Sequence, residues 1–155
     1  MVRRYGRSRA KARVVDHAPL NTPKSTTIVA SMRLNGAIAH ATLSGSMTGE
    51  RFLAYLDETL IPTLEPGTYV VMDNLGSHHV KGVEDRIHAA GAIPLYLPPY
   101  SPDLTPIEKL WSKVKAILRK ERVRSAELLP RAIADAFTLI RPEDCAGWFA
   151  SAGFS

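Results

Sequence analysis

The sequence predicts an α/β fold, a mixed sheet flanked by helices, and three observations carry that expectation. Two β-rich runs, "STTIVASMRL" and "AIAHATLSG", are separated by Asn35-Gly36, a dipeptide suited to a tight hairpin. Two more strand-like runs, Tyr69 to Met72 and "AIPLYL", bracket a stretch with helical periodicity. Later segments carry apolar residues at helical spacing, as in "PIEKLWSKVKAIL" and "PRAIADAFTLI".

A chain of 155 residues, 45% hydrophobic and 23% charged, suffices for one well-buried core. No apolar run approaches about 18 residues, and the basic N-terminus has no apolar segment behind it, so neither a membrane span nor a signal peptide is expected. A cytoplasmic location follows as the expectation. The single cysteine, Cys145, excludes an internal disulfide and a Cys-based zinc site, and no HxxxH or HExxH pair occurs. Any metal is therefore expected on oxygen ligands. The net charge of +5 points to an anionic partner. The charge is concentrated in two runs, one from Arg3 to Arg13 and one from Lys113 to Arg124.

Taken in order, residues 1–24 read as a basic arm with at most one short strand at Ala12 to Val15, and residues 25–155 as the folded domain. Asn35-Gly36 predicts a two-residue type I′ turn. Thr48 is the expected N-cap of a helix with Phe52, Leu53, Leu56, Leu60 and Leu64 in one stripe, which Pro62 should kink or end early. The strand from Tyr69 ends on Asp73, where Asn74 and Gly76 are turn formers. A helix over residues 80–91 closes on Gly91, and "AIPLYL" forms the next strand. Four prolines between Pro98 and Pro106 stiffen the approach to another helix, with Thr105 as N-cap and Pro106 at its first position. At about 100° per residue, Ile107, Leu110, Trp111, Val114 and Leu118 make its core stripe. Glu108, Ser112, Lys115 and Arg119 form a row on its flank. Two shorter helices finish the chain, with Trp148 and Phe149 expected to pack on the sheet.

Asp73 and Glu108 are the candidate site. One helix and one strand fit between them, so both can face the same sheet edge. Paired carboxylates there suit a hard divalent cation held together with substrate phosphates. Two plainer explanations stand beside this one: an Asx-turn at Asp73-Asn74, and a capping box at Thr105-x-x-Glu108. A nucleotide-binding strand would also end in Asp, but no GxxxxGK[ST] loop accompanies it.

"VVMDNLGSHHV", "LYLPPYSPDLTPIEKLWSKVK", "RRYGRS" and the late "GWFASAGF" together resemble the bacterial insertion-sequence branch of the mariner-related DDE transposases. The resemblance runs over essentially the whole chain. It implies an RNase-H-like fold whose three acidic residues bind two Mg²⁺ or Mn²⁺ ions for DNA strand cleavage and strand transfer. Asp73 matches the second acid and Glu108 the third, and Thr105 stands where the family more often has Asn. In the family the first acid lies on a strand upstream of the RRYG-like segment, within a DE[ST] sequence, and here only Met1 and Val2 precede Arg3. The expectation is that the first strand, its Asp and the helix-turn-helix region that recognises the element's ends come from another reading frame in trans or have been lost. The "DET" at Asp57 to Thr59 lies in a helix and is a decoy. Implied partners are transposon-end and target DNA, met by Arg3, Arg4, Arg7, Lys115 and Arg119, with a homo-oligomer when assembled and no membrane. Asn74 and His78 are auxiliary candidates, for orienting water, contacting DNA or stabilising the turn. Two functions follow: a transposase catalytic part, or an inactive DNA-binding or assembly fragment.

Overall fold

Strand β1 (Thr26–Met32) pairs antiparallel with β2 (Ile38–Ser44), in register from Thr26 opposite Ser44 to Met32 opposite Ile38. These elements belong to a computed structural model that describes residues 25–99, 101, 104–121, 125 and 127–154. The basic arm, with Arg3, Arg4 and Arg7, lies outside the described residues. The hairpin is not the two-residue turn expected. Arg33 N–H reaches the Ala37 carbonyl at 2.9 Å and Gly36 N–H reaches that of Arg33 at 3.0 Å, leaving Leu34, Asn35 and Gly36 as a three-residue loop. The Asn35 side chain explains the difference, because its Oδ1 accepts from Ala37 N–H at 3.0 Å and only Gly36 takes a left-handed conformation, at φ 88°.

Helix α1 (Gly49–Tyr55) starts as expected, with Thr48 Oγ1 accepting from Arg51 N–H at 3.3 Å. Pro62 does not stop it directly. The chain widens first into a π turn (Leu56–Leu60), where Ile61 N–H bonds the Leu56 carbonyl, and then tightens into a 3₁₀ turn (Ile61–Thr63). Widening before the proline accommodates a residue with no N–H to give, and both Leu56 and Leu60 stay turned inward. Leu64 falls beyond the helix in extended backbone but still packs on the same core. Tyr55 joins that core too; its hydroxyl donates to the Ala39 carbonyl at 3.0 Å, and burial pushes its pKa up to about 12.

Strand β3 (Tyr69–Met72) pairs parallel with β4 (Ile93–Tyr96), and the crossover carries a 3₁₀ turn (Gly76–His79) and helix α2 (Val83–Ala89). α2 begins three residues later than expected because Gly82, at φ 97°, takes a left-handed conformation that no helix contains. Its C-terminus does close on Gly91, with Gly91 N–H on His88 and Ala92 N–H on Ile87, the two bonds of a Schellman motif. The chain ends in α3 (Ile107–Lys120), α4 (Leu129–Thr138) and α5 (Pro142–Ser151).

Two buried clusters share the β1–β2 hairpin as a wall. Val29 and Ala41 face α1, its π turn, α2 and the β3–β4 pair, while Ile28, Ala30, Met32 and Ile38 face α3, α4 and α5. The alternation along β1 produces this two-sided burial. Trp148 packs in the second cluster, whereas Phe149 meets Phe154 edge-on at 6.1 Å.

The mixed sheet comes in two pieces, one antiparallel pair and one parallel pair, with no ladder between β1 and β3. Arg33, just past the end of β1, donates to the Thr63 carbonyl and lies 4.0 Å from Glu65, just before β3 begins, so β1 and β3 run in opposite directions. Between them lies an open groove of about 380 Å³, lined by residues 27–33 and 68–73.

His40 of β2 is stacked on Phe137 at 4.2 Å, and among the described residues its Nδ1 has no hydrogen-bond partner. Burial lowers its pKa from 6.5, so the unfolded chain binds the proton more tightly than the folded one. The associated stability is therefore complete above about pH 6.5 and declines as pH falls toward the folded value. Urea denaturation should show this decline, and His40→Phe should flatten it; an unchanged slope in the variant would exclude His40 as the cause.

Candidate active site

Asp73 follows directly on β3, at the carboxyl end of a parallel pair, where open α/β sheets leave a crevice. Its Oδ1 accepts from Leu75 N–H at 3.1 Å, so the expected Asx-turn is present. The turn consumes one carboxylate oxygen and leaves the side chain more than half exposed, so it coexists with a site. His78 Nδ1 lies 2.8 Å from the same oxygen. Asn74 ties the two strand ends together: its amide donates to the Leu97 carbonyl, and its Oδ1 meets His79 Nε2 at 3.1 Å. His79 in turn stacks on Tyr96 at 4.3 Å, and the Tyr96 hydroxyl donates to the His78 carbonyl at 2.8 Å. Burial, and then the Glu84 carboxylate, push the Tyr96 hydroxyl up, so it remains a donor.

Glu108 stands in the first turn of α3, and the capping box expected there does not form. The N-cap position belongs to Pro106, and Thr105 Oγ1 instead donates to the Ser101 carbonyl at 3.2 Å, bracing the proline-rich approach. With the helix starting one residue late, Glu108 is out of register for reaching back to the cap. Its side chain is exposed and lines a cavity of about 230 Å³ together with Asp73, Asn74, Leu97, Pro98, Ser101 and Thr105.

The structure thus brings Asp73 and Glu108 to one cavity. All its side-chain donors except the Asn74 amide nitrogen offer oxygen, the donor set of a hard divalent cation. Among the described residues no group of three or more His, Cys, Asp or Glu side chains converges anywhere, and those lining this cavity offer it two carboxylates. The groove between β1 and β3 also reaches Asp73 and Glu108, so anything seated there would meet the same acids.

The flanking row is as expected, with Ser112, Lys115 and Arg119 exposed on α3 beyond Glu108. Lys113, in the same basic run, is committed elsewhere: it pairs with Asp144 of α5 and its ammonium sits 6.0 Å from the Trp148 ring. Asp57 of the "DET" stretch binds Arg86 Nε through both oxygens at 3.0 Å, away from the cavity. His79 and Tyr96 escaped the sequence reading. The one available signal was that Asn74 and His79 are five apart, a distance that only the 3₁₀ turn folds into contact.

The sequence profile described as DDE superfamily endonuclease matches residues 1–129. No curated protein matches the chain. Among solved structures, the catalytic domain of the Mos1 mariner transposase superposes with a TM-score of 0.68 at 22% identity, covering 83% of this chain and 69% of that one. The Mos1 transposase in its paired-end complex with the left transposon end gives a TM-score of 0.73 at 21% identity and covers 96% of this chain. This chain spans only 46% of that protein's length. At such identities the likeness speaks for the fold alone, an RNase-H-like α/β fold similar to that of the Mos1 catalytic domain. No helix among the described residues is long and apolar enough to cross a membrane. With the profile matching well over half its length, the chain belongs to the DDE superfamily endonuclease family.

Proposed function

We propose that this chain is the catalytic part of a transposase that cleaves and transfers DNA strands during transposition. The observation that carries the proposal is the convergence of Asp73, at the end of β3, and Glu108, at the start of α3, on one cavity. Asp73 and Glu108 would hold Mg²⁺ or Mn²⁺. Bound there, such an ion supplies Lewis acidity for in-line displacement at phosphorus. Lys115 and Arg119 continue the row from Glu108, so a DNA backbone lying along α3 would meet two cations while its scissile phosphate reached the carboxylates. Arg3, Arg4 and Arg7 add positive charge for the same partner.

Among the described residues, the facing edges of β1 and β3 have no partner strand across the groove, which supports a further part of the proposal. A strand from the rest of the transposase, in cis or in trans, seats between β1 and β3 and brings the third carboxylate. Antiparallel to β1, it would run parallel to β3 and end beside Asp73. Assembly on paired DNA ends would make the working enzyme an oligomer.

Titration calorimetry with Mn²⁺ tests the core of this reading. Wild type should bind, and Asp73→Ala and Glu108→Ala should each weaken binding tenfold or more, ~1.4 kcal/mol or above. A wild type that binds no Mn²⁺ would favour the second reading, a non-catalytic DNA-binding or assembly fragment.

A further inference from the structure

We propose that His78 is a positioning residue for Asp73, setting which carboxylate oxygen is left for a metal ion. The proposal rests on the reading of Asp73 as a ligand. Two donors converge on a single oxygen: Leu75 N–H at 3.1 Å and His78 Nδ1 at 2.8 Å both meet Oδ1. Oδ2 is thereby the oxygen left to bind. His78 Nδ1 also lies 3.2 Å from the Asp73 carbonyl. Both neighbours are acceptors, so Nδ1 carries a proton and donates it to Asp73.

The ring is itself pinned. Its side chain is 16% exposed, against 57% for Asp73, and it packs on the buried Phe52 ring of α1 at 4.4 Å. The backbone on either side is tied as well, since His78 N–H donates to the Leu75 carbonyl at 2.8 Å and its carbonyl accepts from Tyr96 at 2.8 Å. The exposed carboxylate therefore takes its orientation from the hydrophobic core by way of one imidazole. Partners that orient a ligand in this manner typically change metal affinity by about 10- to 100-fold when removed.

Two substitutions separate the donor from the packing. His78→Asn keeps an N–H donor where Nδ1 stands, while His78→Phe keeps the ring against Phe52 and loses the donor. Calorimetry with Mn²⁺ should find the Asn variant close to wild type and the Phe variant about tenfold or more weaker. In ¹⁵N spectra of the imidazole, wild type should show Nδ1 carrying a proton. Equal Mn²⁺ affinity in the Asn and Phe variants, or a wild-type Nδ1 that carries no proton, would overturn the positioning role alone. A wild type that binds no Mn²⁺ would overturn the ligand reading and the proposal together.

Discussion

Supplying the chain with one more β-strand ending in aspartate is expected to switch on Mg²⁺-dependent nicking of DNA. The strand can be joined upstream or added as a separate peptide. Its place is the groove between β1 and β3, where, among the described residues, each neighbour's edge of backbone donors and acceptors has no partner strand. The directions of β1 and β3 oblige a strand antiparallel to the first to finish near Asp73. Nicking should fall about 10³-fold or more in Asp73→Ala and in Glu108→Ala, ~4 kcal/mol in the barrier. The same strand ending in asparagine should seat equally well and give no cleavage. Protection of the β1 and β3 amides from hydrogen exchange would report seating independently of catalysis. Nicking that persists in Asp73→Ala would sink the assignment of the active site.

Leu56→Ala is expected to cost about 2–5 kcal/mol, a large share of the ~5–15 kcal/mol that holds a domain of this kind together. Leu56 is fully buried (0% exposed) at the first position of the π turn, among Phe52, Tyr55, Leu60, Val83 and Ile87. The deletion removes apolar contacts and leaves a cavity that the proline-bounded helix is poorly placed to close. Leu53→Ala, one turn earlier and half-buried, should cost far less. Urea denaturation of the two variants decides it, and equal losses would mean that the π turn collapses to fill the space. The same cluster contains Met72, next to Asp73, and Phe52, under His78, so loosening it should also blur the candidate site.

Fold class and element order were legible because they depend on local pattern. Period-two runs, Thr48 before an apolar stripe, and Gly91 after one each report on a handful of neighbouring residues, and the corresponding strands, cap and helix end are where the pattern places them. The row Glu108, Ser112, Lys115, Arg119 was legible for the same reason, since helical geometry alone lines it up. The local misreadings have local causes that lie in side chains and backbone angles. Asn35 spends its side chain on Ala37 and lengthens the turn. Gly82 cuts α2 short, and Pro62 is absorbed by a wider turn upstream.

What only the tertiary structure decided is how distant segments share atoms. Sequence offered a capping box for Glu108, but Thr105 turns its hydroxyl to Ser101 and leaves the carboxylate to the cavity. Sequence offered either an Asx-turn or a ligand at Asp73, and the structure shows the turn using one oxygen and sparing the other. The groove between β1 and β3 and the chain of contacts from Phe52 through His78 to Asp73 have no trace in any local window. They arise from packing between elements far apart in sequence, where periodicity and propensity carry no information.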